Sequence, residues 1–321
     1  MTPTDGLIGR LLSHRLRGFD RWESTRLGLE RGLIAGVRHA EFDIRFTRDG
    51  HPVAYHDPFF KADDGTWNYV DEWDLAMLRT QQALAQLATL EDMCACFAAF
   101  RSPPALLHVD VKVAGYEAVI HDTIAKFGLL SCTVLVSWLP SVLARFNTLS
   151  PQTRLCFSHL PIAPWLYPLA KALSPIVEAA APVFSRGLRD VAPRLSNQAS
   201  TISLHFHDDG DPASGGETDQ GARCNYSHVV PGLLKGTMLD LLQSTHGMVC
   251  VPVRLATRTL ASGYRSQGVQ LAVFSVSTVP SLERLMAAVD PDIVYVDNAD
   301  VIRWALTPQG LGEQDQTKRA M

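Results

Sequence analysis

Acidic, basic and imidazole side chains recur at two-residue spacing in two strand-like runs of the chain. In EFDIRFTRDGHPVAYHD, residues 41–57, Glu41, Asp43 and Arg45 occupy alternate positions and the run closes on His56-Asp57. In HVDVK, residues 108–112, His108, Asp110 and Lys112 repeat the spacing. Side chains two apart on a strand share a face, so each run projects its polar set to one side. Carboxylates on a strand covered on both faces are costly unless something there uses them. If both runs face the inside of a barrel, Glu41, Asp43 and Asp110 converge as three hard oxygen donors at its mouth. Such a set suits one divalent cation, Mg2+ or Ca2+, better than Zn2+, which prefers nitrogen and sulfur. Without a cation the three acids repel one another and hold raised pKa values. The plainer alternative is simple pairing of the acids with Arg15, Arg45 and Lys112.

Two histidines accompany these acids. His14 closes the run LLSHR and is followed by Arg15, and His56 follows the second strand. Singly, each reads more readily as a hydrogen-bonded structural residue. Beside a cation, they read as a general acid and a general base. Arg15 and Lys112 next to such a site favour an anionic substrate, and phosphate is the common one.

The elements that must position these residues alternate along the chain. Strand-like runs fall at 11–15, 41–46, 106–111, 133–138, 154–159, 201–206, 248–253, 271–276 and 292–297, with helical patterns between several of them. Strand, helix and strand in this order give a parallel sheet. Eight such units close into an α/β fold of the TIM (β/α)8 type, with its active site at the strands' C-terminal ends. Nine candidates compete for eight places, and either 201–206 or 248–253 is the sixth strand. The polar, Gly- and Asp-rich stretch 207–225 reads as a mobile loop and 308–321 as a disordered tail, leaving one domain over 1–307. There is no Walker or Rossmann glycine loop.

Composition narrows the function further. The chain has 321 residues, is 46% hydrophobic and 19% charged, and carries a formal charge of −4, so nucleic-acid binding is not expected. The cysteines at 94, 96, 132, 156, 224 and 250 form no CxxC pair and read as free cytosolic thiols. The N-terminus lacks an apolar signal region, so a cytoplasmic location is expected. The most apolar stretch, 161–184, contains Lys171, Glu178 and several prolines and is a poor membrane span. Outer barrel helices are the simpler reading of it; a lid or a segment lying on a lipid surface is the other.

Taken together, SHR (13–15), WEST (22–25), EFDIRFTRDGHPVAYHD (41–57), LATLEDM (87–93), HVDVK (108–112) and the C-terminal stretch 271–302 resemble the glycerophosphodiester phosphodiesterases. The likeness covers roughly the first 115 residues and the last 50 and is weak over 160–250. It implies a TIM barrel with a small capping insertion after the second strand. It implies a divalent cation on Glu41, Asp43 and Asp110, His14 and His56 as the acid/base pair, and Arg15 and Lys112 on the phosphate. The implied substrate is a small-molecule glycerophosphodiester, hydrolysed to glycerol 3-phosphate and an alcohol. Four departures from the family pattern stand out. The family's His-Arg-Gly is His14-Arg15-Leu16-Arg17-Gly18, with the glycine two positions late, so Arg17 competes for the role of Arg15. Glu-Asn-Thr is Glu23-Ser24-Thr25, the third metal acid is Asp110 where the family has Glu, and Phe274-Ser275 replaces Trp-Thr.

Other readings carry less. HFHDDG (205–210) is similar to the zinc motif of metallo-β-lactamase-like hydrolases, but its sixth position is Gly210 where that motif has His. Lysophospholipase D-like hydrolysis of a lipid phosphodiester follows if 161–184 meets lipid. A non-catalytic phosphodiester-binding barrel follows if the histidines and acids are only structural.

Overall fold

The computed structural model describes residues 6–102, 104–176, 202–213 and 225–307. Eight parallel strands form the barrel: β1 (Leu11–Ser13), β2 (His39–Phe46), β3 (Leu106–Val111), β4 (Thr133–Ser137), β5 (Arg154–Ser158), β6 (Met248–Pro252), β7 (Gln270–Val276) and β8 (Ile293–Val296). They are hydrogen-bonded in the order β1-β8-β7-β6-β5-β4-β3-β2, and a β1–β2 pairing closes the circle. Each strand is followed by a helix that returns the chain to the next: α1 (Arg26–Ile34), α2 (Leu90–Phe100), α3 (Glu117–Lys126), α4 (Pro140–Leu149), α5 (Gly236–Ser244), α6 (Arg258–Ser266), α7 (Val279–Ala288) and, closing the chain, α8 (Ala299–Ala305); a short helix at Leu75–Leu78 and one over 167–176 lie in the segments inserted after β2 and β5.

The strand sequences show why the sheet closes. Phe42 and Ile44 of β2 and Leu107, Val109 and Val111 of β3 point outward into the core shared with the helices. Leu12, Val134, Val136, Cys156, Met248, Cys250, Ala272, Ile293 and Tyr295 fill the interior. The polar alternates of β2 and β3 share that interior. Helix starts carry their own signals: Thr25 accepts the Gly28 N–H, Thr89 and Asp92 form a capping box, and Pro140 opens α4.

The ninth strand candidate belongs elsewhere. Met248–Pro252 is the sixth barrel strand, while Ile202–Phe206 pairs with Asn225–Pro231 and that strand with Leu160–Ile162 in a separate parallel sheet. The reason is visible in the side chains. Met248 to Val251 are apolar on both faces, as a barrel strand requires, whereas the other run places His205 between Leu204 and Phe206. The expected cap after β2 is present as a hairpin of Phe59–Lys61 with Trp67–Tyr69 and short helical turns. It has its own small core of Val53, Phe60, Val70, Leu75, Leu78, Leu84 and Leu87.

Strand β1 is shorter than LLSHR. It ends at Ser13, and His14–Leu16 form a 3-10 turn in which Arg15 and Leu16 adopt φ values of 54° and 57°. This left-handed backbone is uncommon for non-glycine residues, and here it turns the Arg15 N–H onto Glu41 Oε2 at 2.9 Å. The late glycine of this segment also has a purpose: Gly18 has φ +83°, and a Cβ there would lie 3.0 Å from the Ala299 backbone N.

Of the sequence expectations, the tail 308–321 and most of the 207–225 loop (214–224) lie outside the described residues, as does Cys224. The other five cysteines are buried and free. Among the described residues, no helix is long and apolar enough to cross a membrane.

Candidate active site

The polar alternates of β2 and β3 meet at the C-terminal mouth. Asp43 stands opposite Asp110 in the strand register. One carboxylate oxygen each of Glu41, Asp43 and Asp110 lies within 4.8 Å of the others, and all three residues are buried. Lys112 Nζ is 2.9 Å from Asp43 Oδ1 and 2.5 Å from Asp110 Oδ2. Arg15 Nε is 3.1 Å from Asp43 Oδ2. Arg45 turns away and donates its Nε to the His56 carbonyl at 2.6 Å. Three carboxylates therefore share two contacting cations, Arg15 and Lys112.

The electrostatics record this imbalance. Burial, then Asp43 and Asp110, push the Glu41 carboxyl well above its ordinary range. Burial also raises Asp110, against the opposing pull of Lys112. Burial would raise Asp43 too, but Lys112 and Arg15 outweigh it and hold that carboxyl well below the usual range. Asp110 Oδ1 is buried without a hydrogen-bond partner among the described residues. A surplus buried acid and an unsatisfied buried carboxylate oxygen are what a divalent cation on oxygen donors would relieve, so the donor set fits Mg2+ or Ca2+.

Each histidine is held by a carboxylate at Nδ1. His14 Nδ1 is 2.6 Å from Asp297 Oδ1, and His56 Nδ1 is 2.7 Å from Asp57 Oδ1. The acceptor carboxylates fix the Nδ1–H tautomer and leave the Nε2 lone pair for chemistry. His14 Nε2 faces Glu41 Oε2 at 3.9 Å. Burial, then Arg15, lowers the pKa of His56 to about 4. Burial, chiefly, also lowers that of His14, against its bond to Asp297.

Both histidines, Arg15, Asp110 and Lys112 line one cavity of about 460 Å3. Trp138, Leu139, Leu160, Pro252 and Phe274 build its opposite side. All seven residues singled out from the sequence thus gather at one mouth.

Sequence reasoning missed Asp297 and did not see how Arg17 and Glu23 hold this set in place. Asp297 takes His14, Arg17 Nη1 at 2.6 Å and the Ser275 hydroxyl. Glu23 bridges Arg17 Nε at 2.7 Å and Arg15 Nη1 at 3.3 Å. Arg17 therefore supports His14 through Asp297, while Arg15 meets the acid cluster. Asp297 follows directly on β8, two positions after the inward Tyr295, a signal that the alternation of VYVD carried. Phe59 and Phe60 serve the cap: Phe60 is in its core, and Phe59 packs edge-on against Trp67 and Tyr69. His159 is structural, buried with Nε2 2.9 Å from the Tyr264 hydroxyl.

Comparison with known proteins bears on the family and the fold. Residues 12–127 match the sequence model of the Glycerophosphoryl diester phosphodiesterase family. Comparison with curated proteins gives no match. Among solved structures, the chain is similar to a provisionally assigned glycerophosphoryl diester phosphodiesterase from Silicibacter pomeroyi, at 15% identity and TM-score 0.60 over 91% of both chains. It is similar to a glycerophosphodiester phosphodiesterase from Agrobacterium tumefaciens, at 14% identity and TM-score 0.56 over 92% of this chain and 99% of that one. It is also similar to an Oleispira antarctica phosphodiesterase in complex with the product sn-glycerol-3-phosphate, at 13% identity and TM-score 0.54 over 94% of this chain and 98% of that one. At these identities the structural likeness speaks to fold. Residues 12–127 thus match the family by sequence, and the chain as a whole shares the barrel fold of these solved structures.

Proposed function

We propose that this protein is a phosphoric diester hydrolase that cleaves a small-molecule glycerophosphodiester to glycerol 3-phosphate and an alcohol. The observation that carries the proposal is a cluster of three buried carboxylates, of which Asp110 lines the cavity, beside two carboxylate-held histidines that line the same cavity. The Oleispira phosphodiesterase, bound to sn-glycerol-3-phosphate, supports the same choice of product.

Glu41, Asp43 and Asp110 would hold one Mg2+ or Ca2+, which when bound supplies positive charge to the phosphoryl oxygens. Arg15 and Lys112 form the positive wall against which the phosphate sits. One imidazole takes the proton of the glycerol 2-hydroxyl at Nε2 as that oxygen attacks phosphorus. The other enters the step as imidazolium and gives its Nε2 proton to the departing alcohol oxygen. The resulting cyclic phosphate is opened by water with the roles reversed, which regenerates both imidazoles. Asp297 and Asp57 keep each ring in register through both steps and stabilise its cationic form. General acid–base catalysis of this kind contributes roughly 10²–10⁴-fold per transfer.

A lipid-linked phosphodiester is the second reading. Trp165 is 78% exposed, and Leu169, Leu173 and Ile176 follow it on one side of the helical stretch 167–176. Glycerol 3-phosphate release from glycerophosphocholine, glycerophosphoethanolamine and lysophosphatidylcholine separates the readings. Turnover of the first two alone supports the soluble substrate, and turnover of the third supports the lipid. No turnover of any by the folded, cation-loaded protein contradicts the enzyme and leaves a phosphodiester-binding barrel.

A further inference from the structure

The cavity wall opposite the carboxylates carries two serines that the proposed reaction leaves unused. Ser158, the last residue of β5, and Ser227, in the strand Asn225–Pro231 of the inserted sheet, both line the cavity. Val229 of that strand pairs with Leu160 in parallel register. Carried two residues back, this register sets Ser227 level with Ser158, and Leu160 lines the cavity beside them. Ser158 is 3% exposed. Among the described residues neither hydroxyl has a hydrogen-bond partner, whereas the neighbouring Ser275 hydroxyl is committed to Asp297. Hydroxyls placed in this way each offer one donor and two acceptor sites to whatever fills the cavity. The same wall lacks a counter-ion. Among the described residues no carboxylate of β4 to β7 lines it, and Trp138 and Phe274 pack edge to face there at 6.0 Å. The two carboxylates that reach the cavity are already engaged, Asp110 by Lys112 at 2.5 Å and Asp297 by Arg17 at 2.6 Å.

We propose that Ser158 and Ser227 select the leaving alcohol, and that this alcohol is an uncharged polyol, such as glycerol or a cyclitol, and not an ammonium alcohol. The inference rests on the phosphodiesterase reading and adds to it the class of substrate. The polyol's hydroxyls exchange hydrogen bonds with Ser158 and Ser227, while its carbon skeleton lies on Trp138 and Phe274. A choline headgroup has no donor or acceptor for either serine, and neither choline nor ethanolamine meets a free acid on this wall. Because Ser227 arrives on the inserted sheet, the segment inserted after β5 takes part in the choice of substrate.

The test compares glycerophosphoinositol and glycerophosphoglycerol with glycerophosphocholine. It reads kcat/KM for glycerol 3-phosphate release and, on the His56→Ala protein in Mg2+ and in Ca2+, Kd by calorimetry. The expected result is a preference of about tenfold for the two polyol diesters in both readings. Ser158→Ala and Ser227→Ala should each narrow that preference by roughly 2- to 10-fold, the loss of one hydrogen bond, with the choline diester changed least. The thermal transition checks the fold of each variant, and Ser227, the more exposed of the two, is the one less able to disturb the barrel. Equal handling of the three diesters, or an undiminished preference in both serine variants, would overturn the inference. So would a preference for the choline diester, which would place its headgroup on the face of Trp138 instead. Absence of turnover with every diester would contradict the phosphodiesterase reading alone, because the Kd values still decide the choice of alcohol.

Discussion

The two sides of the cavity differ in kind. The side built by β1 to β3 is charged, with His14, Arg15, His56, Asp110 and Lys112 facing the space and Glu41 and Asp43 beneath them. The side built by β4 to β7 offers Trp138, Leu139, Leu160, Pro252 and Phe274, with serine hydroxyls between. Asp297, after β8, crosses this division because barrel closure sets β8 beside β1. On the proposed function, the first side would cleave the bond and the second would fit the leaving alcohol. The family match ends at residue 127, which is where the charged side ends. A phosphoryl chemistry shared with that family and a divergent leaving-group wall would account for that coincidence if the proposed function holds.

The largest expected effects come from the charged side. His14→Ala and His56→Ala should each lower kcat by roughly 10²–10⁴-fold with an unchanged thermal transition. Near-full turnover in both would remove the acid/base assignment. Asp297→Asn should lower kcat by about 10²-fold with little change in KM, since it disturbs the tautomer and aim of His14 without touching the phosphate. A matching rise in KM with kcat intact would make Asp297 a binding residue instead.

The charged side also has a vulnerability below its acids. His39 Nδ1 and His108 Nε2 are 3.0 Å apart inside the barrel, and burial lowers His39 to about 4. An unfolded histidine titrates near 6.5. Between those values the unfolded chain binds a proton that the folded chain refuses. Stability is therefore complete above about pH 6.5 and falls as the pH drops toward 4, by on the order of 3 kcal/mol from His39. Urea unfolding at several pH values should show this slope, and His39→Gln should flatten it; parallel slopes in the two proteins would contradict the account. The smallest effect belongs to the uncharged side. Trp138→Ala should change KM a fewfold, by different factors for different leaving alcohols, and leave the opening of a cyclic glycerophosphate unaltered. Equal changes for every substrate would erase the division between the two sides.

The charged side was also the legible one. A period of two put Glu41 with Asp43 on one face and Asp110 with Lys112 on another, and the expected barrel brought the two faces together. Register did the rest, setting Asp43 against Asp110. What supports them was harder to read. Asp297 reaches His14 across 283 positions of sequence, and only barrel closure joins them. Glu23 holds Arg15 and Arg17 through a left-handed turn that no pattern of polar residues announces. The choice between 201–206 and 248–253 stayed open because both are short β-prone runs. What separates them is that Met248–Val251 are buried on both faces while Leu204–Phe206 are only partly buried, a property of the packed molecule.

Everything turns on whether the carboxylate cluster works through a cation. The direct measurement is glycerol 3-phosphate release from glycerophosphocholine by chelator-treated protein, titrated with Mg2+ and with Ca2+, beside Glu41→Gln. The account predicts no turnover after chelation, saturable recovery with one of the two ions, and a Glu41→Gln protein that neither ion restores. Undiminished turnover after chelation, or a Glu41→Gln protein as active as the parent, would contradict it.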